Sequence, residues 1–355
     1  MRRIFLRNIE REPRDKMSRN RIIRACGFTE RGKILLSRLD RADEENFYKI
    51  RYNEPLKEWI EEGFALSEPI LFVGATGIAV RSIAPFVKDK RMDSPVLVVD
   101  EGGQFVIPLL SGHLGGANEL AGLLAAKLQA VPVITTATDV NGVFSVDDFA
   151  RRNGLSLFPK EGIREVSSRL LEEGQIRMRI APEISYDKNR VPQEIFLVES
   201  VNEPVDVEIL PDDGKPSGKA TLTLTFKPYI LGMGCKKDTP FIKLEGFLQE
   251  KLQVPVLKVA AIASIDLKKK EEGLLALAAQ QHVPFYTYAK EELLTVKGDE
   301  AESDFVQAVT GVPNVCEKSA LYCAGEDGVL VQKKTAENGM TLAVAKRIPK
   351  LKEWT

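Results

Sequence analysis

The amino-acid sequence predicts a multidomain α/β protein: an N-terminal α/β domain with glycine-rich strand–turn–helix units, a small α+β linker domain and a C-terminal α/β domain. The length of 355 residues is enough for about two to three domains of ordinary size. Strand-like apolar runs alternate with helical patterns in the first and last thirds of the chain, which is typical of α/β domains. Residues 142–228 are more charged and have few glycine turns after strands.

The charge composition of the chain indicates which kinds of molecule the protein binds. Fifty basic and 51 acidic residues give a net charge of −1, which argues against a nucleic-acid partner. Residues 1–24 are the exception, with nine basic against three acidic residues. We interpret residues 1–21 as a mobile basic leader rather than an RNA-binding arm. The predicted domains are then 22–141, 142–228 and 229–355.

The cysteines and the apolar runs together indicate the cellular compartment of the protein. No apolar stretch approaches the ~18 residues of a membrane helix, and the start lacks the apolar core of a secretory signal. Four cysteines occur without a CxxC pair. The sequence therefore predicts a reduced cytoplasmic protein that binds no membrane and has no structural zinc.

The stretch 105–120 is the centre of the N-terminal domain. An apolar run at 105–110 predicts a buried strand, residues 111–116 form a glycine-rich turn, and apolar residues at helical spacing follow from 118 to 128. Such a turn aims backbone N–H groups and a positive dipole end at an anion. It matches neither the phosphate-binding loop nor the G-x-G-x-x-G dinucleotide fingerprint.

Other elements of this domain are predicted from the same patterns. Thr29 should cap a helix over 28–39 that buries Ile34, Leu35 and Leu39. A hairpin is expected from 95–100 and 105–110. Further predicted elements are strands at 21–26, 70–73 and 131–136 and helices at 55–62 and 78–83. Because ligands gather at the carboxyl ends of strands, we expect Gly74–Gly77, Ser111–Gly116 and Thr135–Asp139 to share one cleft.

The remaining two domains differ in pattern. Residues 142–228 predict helices at 146–153 and 162–173 and strands at 195–198, 205–209 and 221–226, and we expect a mainly structural role. From 229 a strand runs into Gly232, Gly234 and two lysines, and Thr239 should cap a helix whose first residue is Pro240. Strands at 256–262 and 283–288, helices at 268–281, 302–309 and 315–323, and a hairpin at 329–346 complete the prediction.

Several side chains suggest chemistry, each with a plainer alternative. His113 could act as a neutral general base or could bond only its own turn. Glu119 could be a second base or could complement the helix dipole. Arg81 could pair with a carboxylate or face solvent, whereas Lys236 and Lys237 are typical of an anion clamp. His282 is expected at the surface, Cys316 and Cys323 in packing, and no metal-ligand cluster is evident.

Several motifs together resemble the cobalt-precorrin-5A hydrolases, CbiG, of anaerobic cobalamin biosynthesis. In the N-terminal half they are FVGATGIAVR at 72–81, VVDEGG at 98–103, LSGHLGGANELA at 110–121 and VITTATD at 133–139. In the C-terminal part they are GMGCKK at 232–237, DLKKKE at 266–271, TGV at 310–312 and EKSAL at 317–321. The resemblance covers roughly residues 22–350; the basic start, Asp238 and Lys270 depart from it.

The resemblance implies a reaction and its partners. Water would open the δ-lactone of a cobalt-containing corrinoid, and a two-carbon fragment would leave as acetaldehyde, giving cobalt-precorrin-5B. The protein itself would need no cofactor, because the cobalt belongs to the substrate. The expected partners are this corrinoid and neighbouring enzymes of the pathway. A non-catalytic protein that binds and delivers corrinoids is the alternative, and a nucleotide-using transferase is disfavoured by the absent loop motifs.

The predicted site residues come from the residue patterns and from the family resemblance together. His113 is the predicted base with Glu119 as its substitute, and the backbone N–H groups of Gly115 and Gly116 are the predicted oxyanion donors. The predicted substrate-binding residues are Gly74, Thr76, Gly77, Arg81, Ser111, Gly112, Gly115, Gly116, Asn118, Thr135, Thr136, Asp139, Gly232, Gly234, Cys235, Lys236 and Lys237.

Overall fold

The computed structural model describes residues 18–89, 93–113, 115–296 and 312–354, with only the backbone of Ser18 and Arg19. The chain forms three mixed α/β units, each built on one sheet of five or six strands. The predicted α/β class is thus confirmed. Within the described residues, no helix is both long enough and apolar enough to cross a membrane.

The N-terminal unit is a six-stranded sheet in the order β3-β2-β4-β5-β6-β7. Its strands are β2 (Ile22–Gly27), β3 (Phe47–Ile50), β4 (Ile70–Val73), β5 (Val96–Val99), β6 (Phe105–Leu110) and β7 (Val131–Pro132). Its helices are α1 (Glu30–Ala42), α2 (Leu56–Ala65), α3 (Thr76–Ile83), α4 (Ala117–Leu128) and α5 (Ala137–Asn141). Strands β4 and β5 are apolar and buried along their whole length, as their unbroken apolar runs predict.

The structure confirms some of the local predictions for this unit and contradicts others. Thr29 does cap α1, because its hydroxyl accepts from Gly32 N at 3.2 Å. Leu35 and Leu39 are buried, but Ile34 is 60% exposed, so its predicted inward position is wrong. The helix instead buries Leu36, which lies on the same face as Leu39. The strand expected over 131–136 ends at Pro132.

The direction of β6 decides where the glycine turns lie. Strands β2 to β5 are parallel, with Val73 opposite Val99, whereas β6 runs antiparallel to β5, with Leu110 opposite Val96. The predicted hairpin is therefore confirmed. Its consequence is that the turn after β6 emerges at the sheet edge opposite to the turn after β4, about 10 Å away along the strands.

The central unit is a five-stranded sheet in the order β11-β9-β12-β13-β8. Its strands are β8 (Leu155–Phe158), β9 (Ile176–Ile180), β11 (Ile195–Leu197), β12 (Val205–Leu210) and β13 (Ala220–Phe226), and its helices are α6 (Val146–Asn153) and α7 (Gly162–Glu173). Strands β8 and β9 were not predicted. In β9, Arg177 and Arg179 interrupt the apolar pattern, and Arg179 is buried because Glu208 on β12 pairs with it at 3.0 Å.

The C-terminal unit is a six-stranded sheet in the order β1-β16-β15-β14-β18-β17. Its strands are β1 (Ser18–Asn20), β14 (Tyr229–Gly234), β15 (Val259–Ile265), β16 (Phe285–Tyr288), β17 (Val329–Glu337) and β18 (Met340–Lys346). Its helices are α8 (Phe241–Lys251), α9 (Glu272–Gln280), α10 (Lys290–Leu294) and α11 (Val315–Ala324). The helix predicted at 302–309 lies outside the described residues.

Both ends of the described chain pack on a distant unit. Strand β1 pairs antiparallel with β16, and Asn20 Nδ2 donates to Thr287 Oγ1 at 2.6 Å. Residues Lys350–Leu351 form β19, which pairs with β10 (Ser185–Tyr186), and Leu351 and Trp354 belong to the core of the central unit. The predicted domain boundaries stay predictions; the one at 229 falls between strands of two different sheets. Of the mobile leader predicted over 1–21, residues 1–17 lie outside the described residues, and for residues 18–20 the prediction is wrong because they form β1.

Candidate active site

The loop after β6 closes on itself through its own backbone. The N–H groups of Gly116, Ala117 and Asn118 donate to His113 O, Ser111 O and Gly112 O at 2.9, 3.1 and 3.0 Å. The start of α4 is therefore capped by loop carbonyls, which meets the usual need of a helix N-terminus. Gly116 N–H is not available to an oxyanion, contrary to the prediction.

Two glycines are required for this closed loop. A Cβ at Gly115 would lie 2.5 Å from the Ser111 Cβ, and a Cβ at Gly112 would lie 2.8 Å from Asn118 Oδ1. Ser111 itself has φ 56° and its hydroxyl donates to Asp93 O at 2.7 Å, which anchors the loop to the segment before β5. In the structure, then, Ser111, Gly112 and Gly115 shape the loop that presents His113.

The imidazole of His113 is held from both of its nitrogens. Nε2 lies 2.7 Å from Asp139 Oδ2 and 3.3 Å from Thr138 Oγ1. Nδ1 lies 3.4 Å from Asp147 Oδ1 and 3.4 Å from Ser145 Oγ. The ring is thus enclosed by groups from α5 and from the start of α6.

These contacts decide the charge of the ring. Burial alone would lower the pKa of His113, but the hydrogen bonds and charges of Asp139 and Asp147 outweigh it and raise the pKa to about 10. For both aspartates burial acts to raise the pKa, but the hydrogen bond and charge of His113, together with hydrogen bonds from neighbouring polar groups, outweigh it, so both pKa values are lowered. His113 is an imidazolium between two carboxylates at neutral pH, not the neutral base expected.

Asn118 joins the loop to the residues after β7. Its Nδ2 donates to Thr136 Oγ1 at 2.9 Å and to Asp139 Oδ2 at 3.0 Å, and the residue is only 8% exposed. Because β7 runs parallel to β6, both strands end at one edge of the sheet. Ser111–Gly116 and Thr135–Asp139 therefore lie together as expected, with Thr135 exposed beside Thr136.

Glu119 has a different environment from the one expected of a base. Its carboxylate lies 3.2 Å from Arg21 Nη2 and 2.9 Å from Arg151 Nη1. Two guanidinium groups stabilise its charge, which leaves it poorly suited to accept a proton. Since Arg151 is on α6, this ion pair also ties the central unit to α4.

Sequence reasoning missed the partners from α6. Asp147 and Ser145 lie more than 30 positions from His113 in the chain and belong to the unit expected to be mainly structural. The only local signal was the two aspartates in the first turn of the helix predicted at 146–153. Such a pair is ordinarily explained by the helix dipole, so it pointed to no partner.

The turn after β4 does not share this site. Gly74–Gly77 and Arg81 lie at the opposite sheet edge, so the prediction of one cleft for three strand ends is wrong for this turn. Within the part of the chain that the structure describes, the N–H groups of Ala75, Thr76 and Gly77 have no hydrogen-bond acceptor. The Arg81 guanidinium lies 3.4 Å from the Cβ position of Gly77, so this helix start is open to an anion.

The turn after β14 presents two exposed lysines. Lys236 and Lys237 follow Gly234 and Cys235, and burial raises the pKa of the Cys235 thiol to about 11. Helix α8 begins at Phe241 with Pro240 as its N-cap, and Thr239 Oγ1 donates to Lys236 O, so the predicted Thr239 cap is wrong. No hydrogen bond or ion pair among the described residues joins this turn to the His113 loop.

Gly232 serves packing in this structure. A Cβ there would lie 1.8 Å from Cys316 O, because α11 crosses β14 at that point. The glycine therefore allows close approach of helix and strand.

A cleft of about 440 Å³ lies between the N-terminal and C-terminal units. Its lining residues are Ala42, Glu44, Glu45, Lys127, Asp266, Lys269, Thr287, Ala289 and Glu292. Four carboxylates against two lysines make it unsuited to a polyanion. It includes none of the residues predicted for the site. Nowhere in the described ranges do three or more metal-ligating side chains cluster.

Comparison with known proteins gives two matching family models. The model described as Cobalamin synthesis G N-terminal matches residues 58–139, and the model described as Cobalamin synthesis G C-terminus matches residues 229–345. His113 and Asp139 fall within the first match, and Lys236 and Lys237 within the second.

Curated relatives cover most of the chain. A cobalt-precorrin-5A hydrolase of Salmonella typhimurium is 33% identical over 315 residues, 85% of this chain and 88% of that protein. Another, of Priestia megaterium, is 31% identical over 334 residues, 90% of this chain and 89% of that protein. Among solved structures, a putative cobalamin biosynthesis protein G homolog from Sulfolobus solfataricus is 22% identical, covers 92% of this chain and 97% of its own, and has a TM-score of 0.42.

Proposed function

Because the chain belongs to the cobalt-precorrin-5A hydrolase family, CbiG, we propose that it hydrolyses the δ-lactone of cobalt-precorrin-5A in anaerobic cobalamin biosynthesis. Lactone opening leaves a hydroxyl on the two-carbon fragment. This fragment departs as acetaldehyde when its carbon–carbon bond to the macrocycle breaks and its hydroxyl proton passes to the macrocycle, which gives cobalt-precorrin-5B. The single observation that supports a site for this chemistry is the exposed carboxylate of Asp139, held by His113 and Asn118 beside a buried positive charge.

Asp139 is the base in this proposal. Its side chain is 37% exposed, against 14% for His113, and its lowered pKa keeps it a carboxylate at neutral pH. A low pKa makes a carboxylate a weak base, so positioning of the attacking water must supply much of the effect. Asp139 replaces His113 and Glu119 in this role, because both nitrogens of His113 and the Glu119 carboxylate are already occupied.

One residue, Asp139, can both accept and return the proton that moves when the lactone is opened. Asp139 takes a proton from water while the water oxygen bonds to the acyl carbon. The carbon–oxygen bond of the lactone then breaks, and the departing oxygen takes that proton back from Asp139. The developing oxyanion is stabilised by the positive charge of His113, an electrostatic contribution that enzymes commonly use.

Binding of the corrinoid needs further contacts, because it carries many carboxylates. Lys236 and Lys237 are the proposed contacts for peripheral carboxylates, since both are exposed and cationic. The open helix start at Gly74–Gly77 with Arg81 is a second anion-receptive position, but it faces away from Asp139. The cobalt is part of the substrate, so the proposed reaction uses no cofactor of the protein. A reducing, cytoplasmic location is proposed because all four cysteines are free thiols.

Acetaldehyde release from cobalt-precorrin-5A tests the proposal. The wild-type protein should release it over many turnovers, and Asp139→Asn should reduce the rate by ~10²–10⁴-fold with little change in corrinoid affinity. Asp187→Asn, a matched change in the central unit, should keep the wild-type rate. If wild type gives no acetaldehyde above the uncatalysed rate, the proposed hydrolysis is wrong. If Asp139→Asn retains full turnover, Asp139 is not the base.

A further inference from the structure

We propose that Asp147, on the central unit, is a positioning residue for the reaction: it fixes the His113 ring, and the ring in turn aims the Asp139 carboxylate at the substrate. This inference rests on the proposed function. It also assigns a part of the active site to a domain whose expected role was mainly structural.

The two carboxylates stand on opposite sides of one ring. Asp139 Oδ2 is 2.7 Å from Nε2, a short charge-assisted hydrogen bond, while Asp147 Oδ1 is 3.4 Å from Nδ1, within ion-pair reach. A ring contacted from both nitrogens cannot flip or rotate without losing one contact. The orientation of the Asp139 carboxylate is therefore determined partly by Asp147.

The side chains of the two aspartates differ in solvent exposure, and this difference indicates different roles. The Asp147 side chain is 14% exposed and the Asp139 side chain 37%. A largely buried carboxylate that already contacts a cation has little access to substrate, whereas the more exposed one can contact water. Asp139 is therefore the group that meets the substrate, and Asp147 acts through His113.

Asp147 is itself held in place by its own surroundings. Ser145 Oγ donates to Asp147 Oδ1 at 2.6 Å, and Asp148 N donates to the same oxygen at 3.1 Å. Helix α6 is in turn attached to α4, because Arg151 contacts Glu119 at 2.9 Å and Asp148 at 2.6 Å. A chain of polar contacts thus runs from the central unit to the ring.

Turnover and the titration of His113 together test the assignment. Asp147→Asn keeps the shape of the side chain and removes its charge. We expect kcat to fall roughly 10–100-fold with KM little changed, in line with the loss seen when a carboxylate that orients a metal-bound histidine is removed. The pKa of His113 should fall by about one unit or more from about 10, because one opposite charge is lost.

Nuclear magnetic resonance can follow that titration without ambiguity, because the chain has only two histidines. His282 is the internal control and should titrate identically in all variants. Asp187→Asn is the matched variant: it is the same change in the same unit, but Asp187 accepts from Asn189 N and does not contact the ring. It should leave kcat and the His113 titration unchanged, whereas Asp147→Glu should restore part of both.

Three results would overturn the inference. They are wild-type kcat in Asp147→Asn, an unmoved His113 titration in that variant, or equal losses in Asp147→Asn and Asp187→Asn. Should Asp147→Asn not fold, Ser145→Ala decides, because it removes the hydroxyl that donates to Asp147 and lies 3.4 Å from His113 Nδ1; unchanged kcat would then count against positioning. Failure of the proposed function is distinguishable, since wild type would release no acetaldehyde while the titrations could still differ.

Discussion

Raising the pH should destabilise the N-terminal unit by neutralising His113. The pKa of this residue is about 10 in the folded protein, against ~6.5 for an unperturbed histidine in the unfolded chain. A raised pKa means that the folded state binds the proton more tightly. Its stabilising effect is therefore complete below about pH 6.5 and is lost as the pH rises toward 10.

The size of the effect follows from the two pKa values. Each unit of difference corresponds to about 1.4 kcal/mol, so the whole effect is on the order of 5 kcal/mol. The free energy of unfolding should fall by about 1.4 kcal/mol per pH unit through this range, relative to a variant without the imidazole. His113→Gln is that variant, and groups that titrate elsewhere cancel in the difference.

The assay is urea unfolding followed by tryptophan fluorescence. Trp59 is buried in the N-terminal unit and Trp354 in the core of the central unit, so both proteins should carry Trp354→Phe. Trp59 alone then reports the unit that contains His113. If the difference in unfolding free energy between wild type and His113→Gln is the same at pH 7 and pH 9, the clamped imidazolium does not exist in solution.

Two further predictions use buried and exposed charges. Arg24 and Glu68 form an ion pair with side chains 0% and 1% exposed, and Arg24 also contacts Glu62 at 3.0 Å. Because Glu68→Gln leaves Arg24 with Glu62 as a partner, it should destabilise the N-terminal unit by about 1–3 kcal/mol in the same Trp59 assay, whereas no measurable change would mean that water reaches the pair. Lys236→Ala with Lys237→Ala should weaken corrinoid binding and flatten its dependence on salt, measured by titration calorimetry at several NaCl concentrations. An unaltered affinity and salt response would remove this turn from the binding site.

Local patterns predicted much of the fold because they depend on near neighbours. The strands at 70–73 and 105–110 and the helices at 146–153 and 162–173 appear where expected, although the second strand is not buried as predicted, since Phe105 is 43% exposed. The meeting of His113 with Asp139 was also predictable, because both follow strands that end at one edge. The position of Gly74–Gly77 depends on long-range strand pairing. The hairpin was predicted, but its second strand runs antiparallel to β5, and this places Gly74–Gly77 at the edge opposite to the His113 loop.

The charge of His113 could not be read from the sequence either. A histidine in a glycine turn is neutral or charged according to what surrounds it, and Asp147 comes from another unit. Likewise, Glu119 and Gly232 were interpreted from their immediate neighbours. Their partners Arg21 and Arg151, and the close approach of α11, are set by tertiary packing.

The crossed packing of the chain ends has a consequence for how the protein can be cut or shortened. Strand β1 covers β16, and a piece that starts at residue 229 would leave β16 as an open edge able to pair with another chain. The same cut would also withdraw Leu351 and Trp354 from the core of the central unit. Proteolytic removal of β1 or of the segment with Leu351 and Trp354 should therefore destabilise a unit that is distant along the chain. Thermal unfolding of the three units should be coupled.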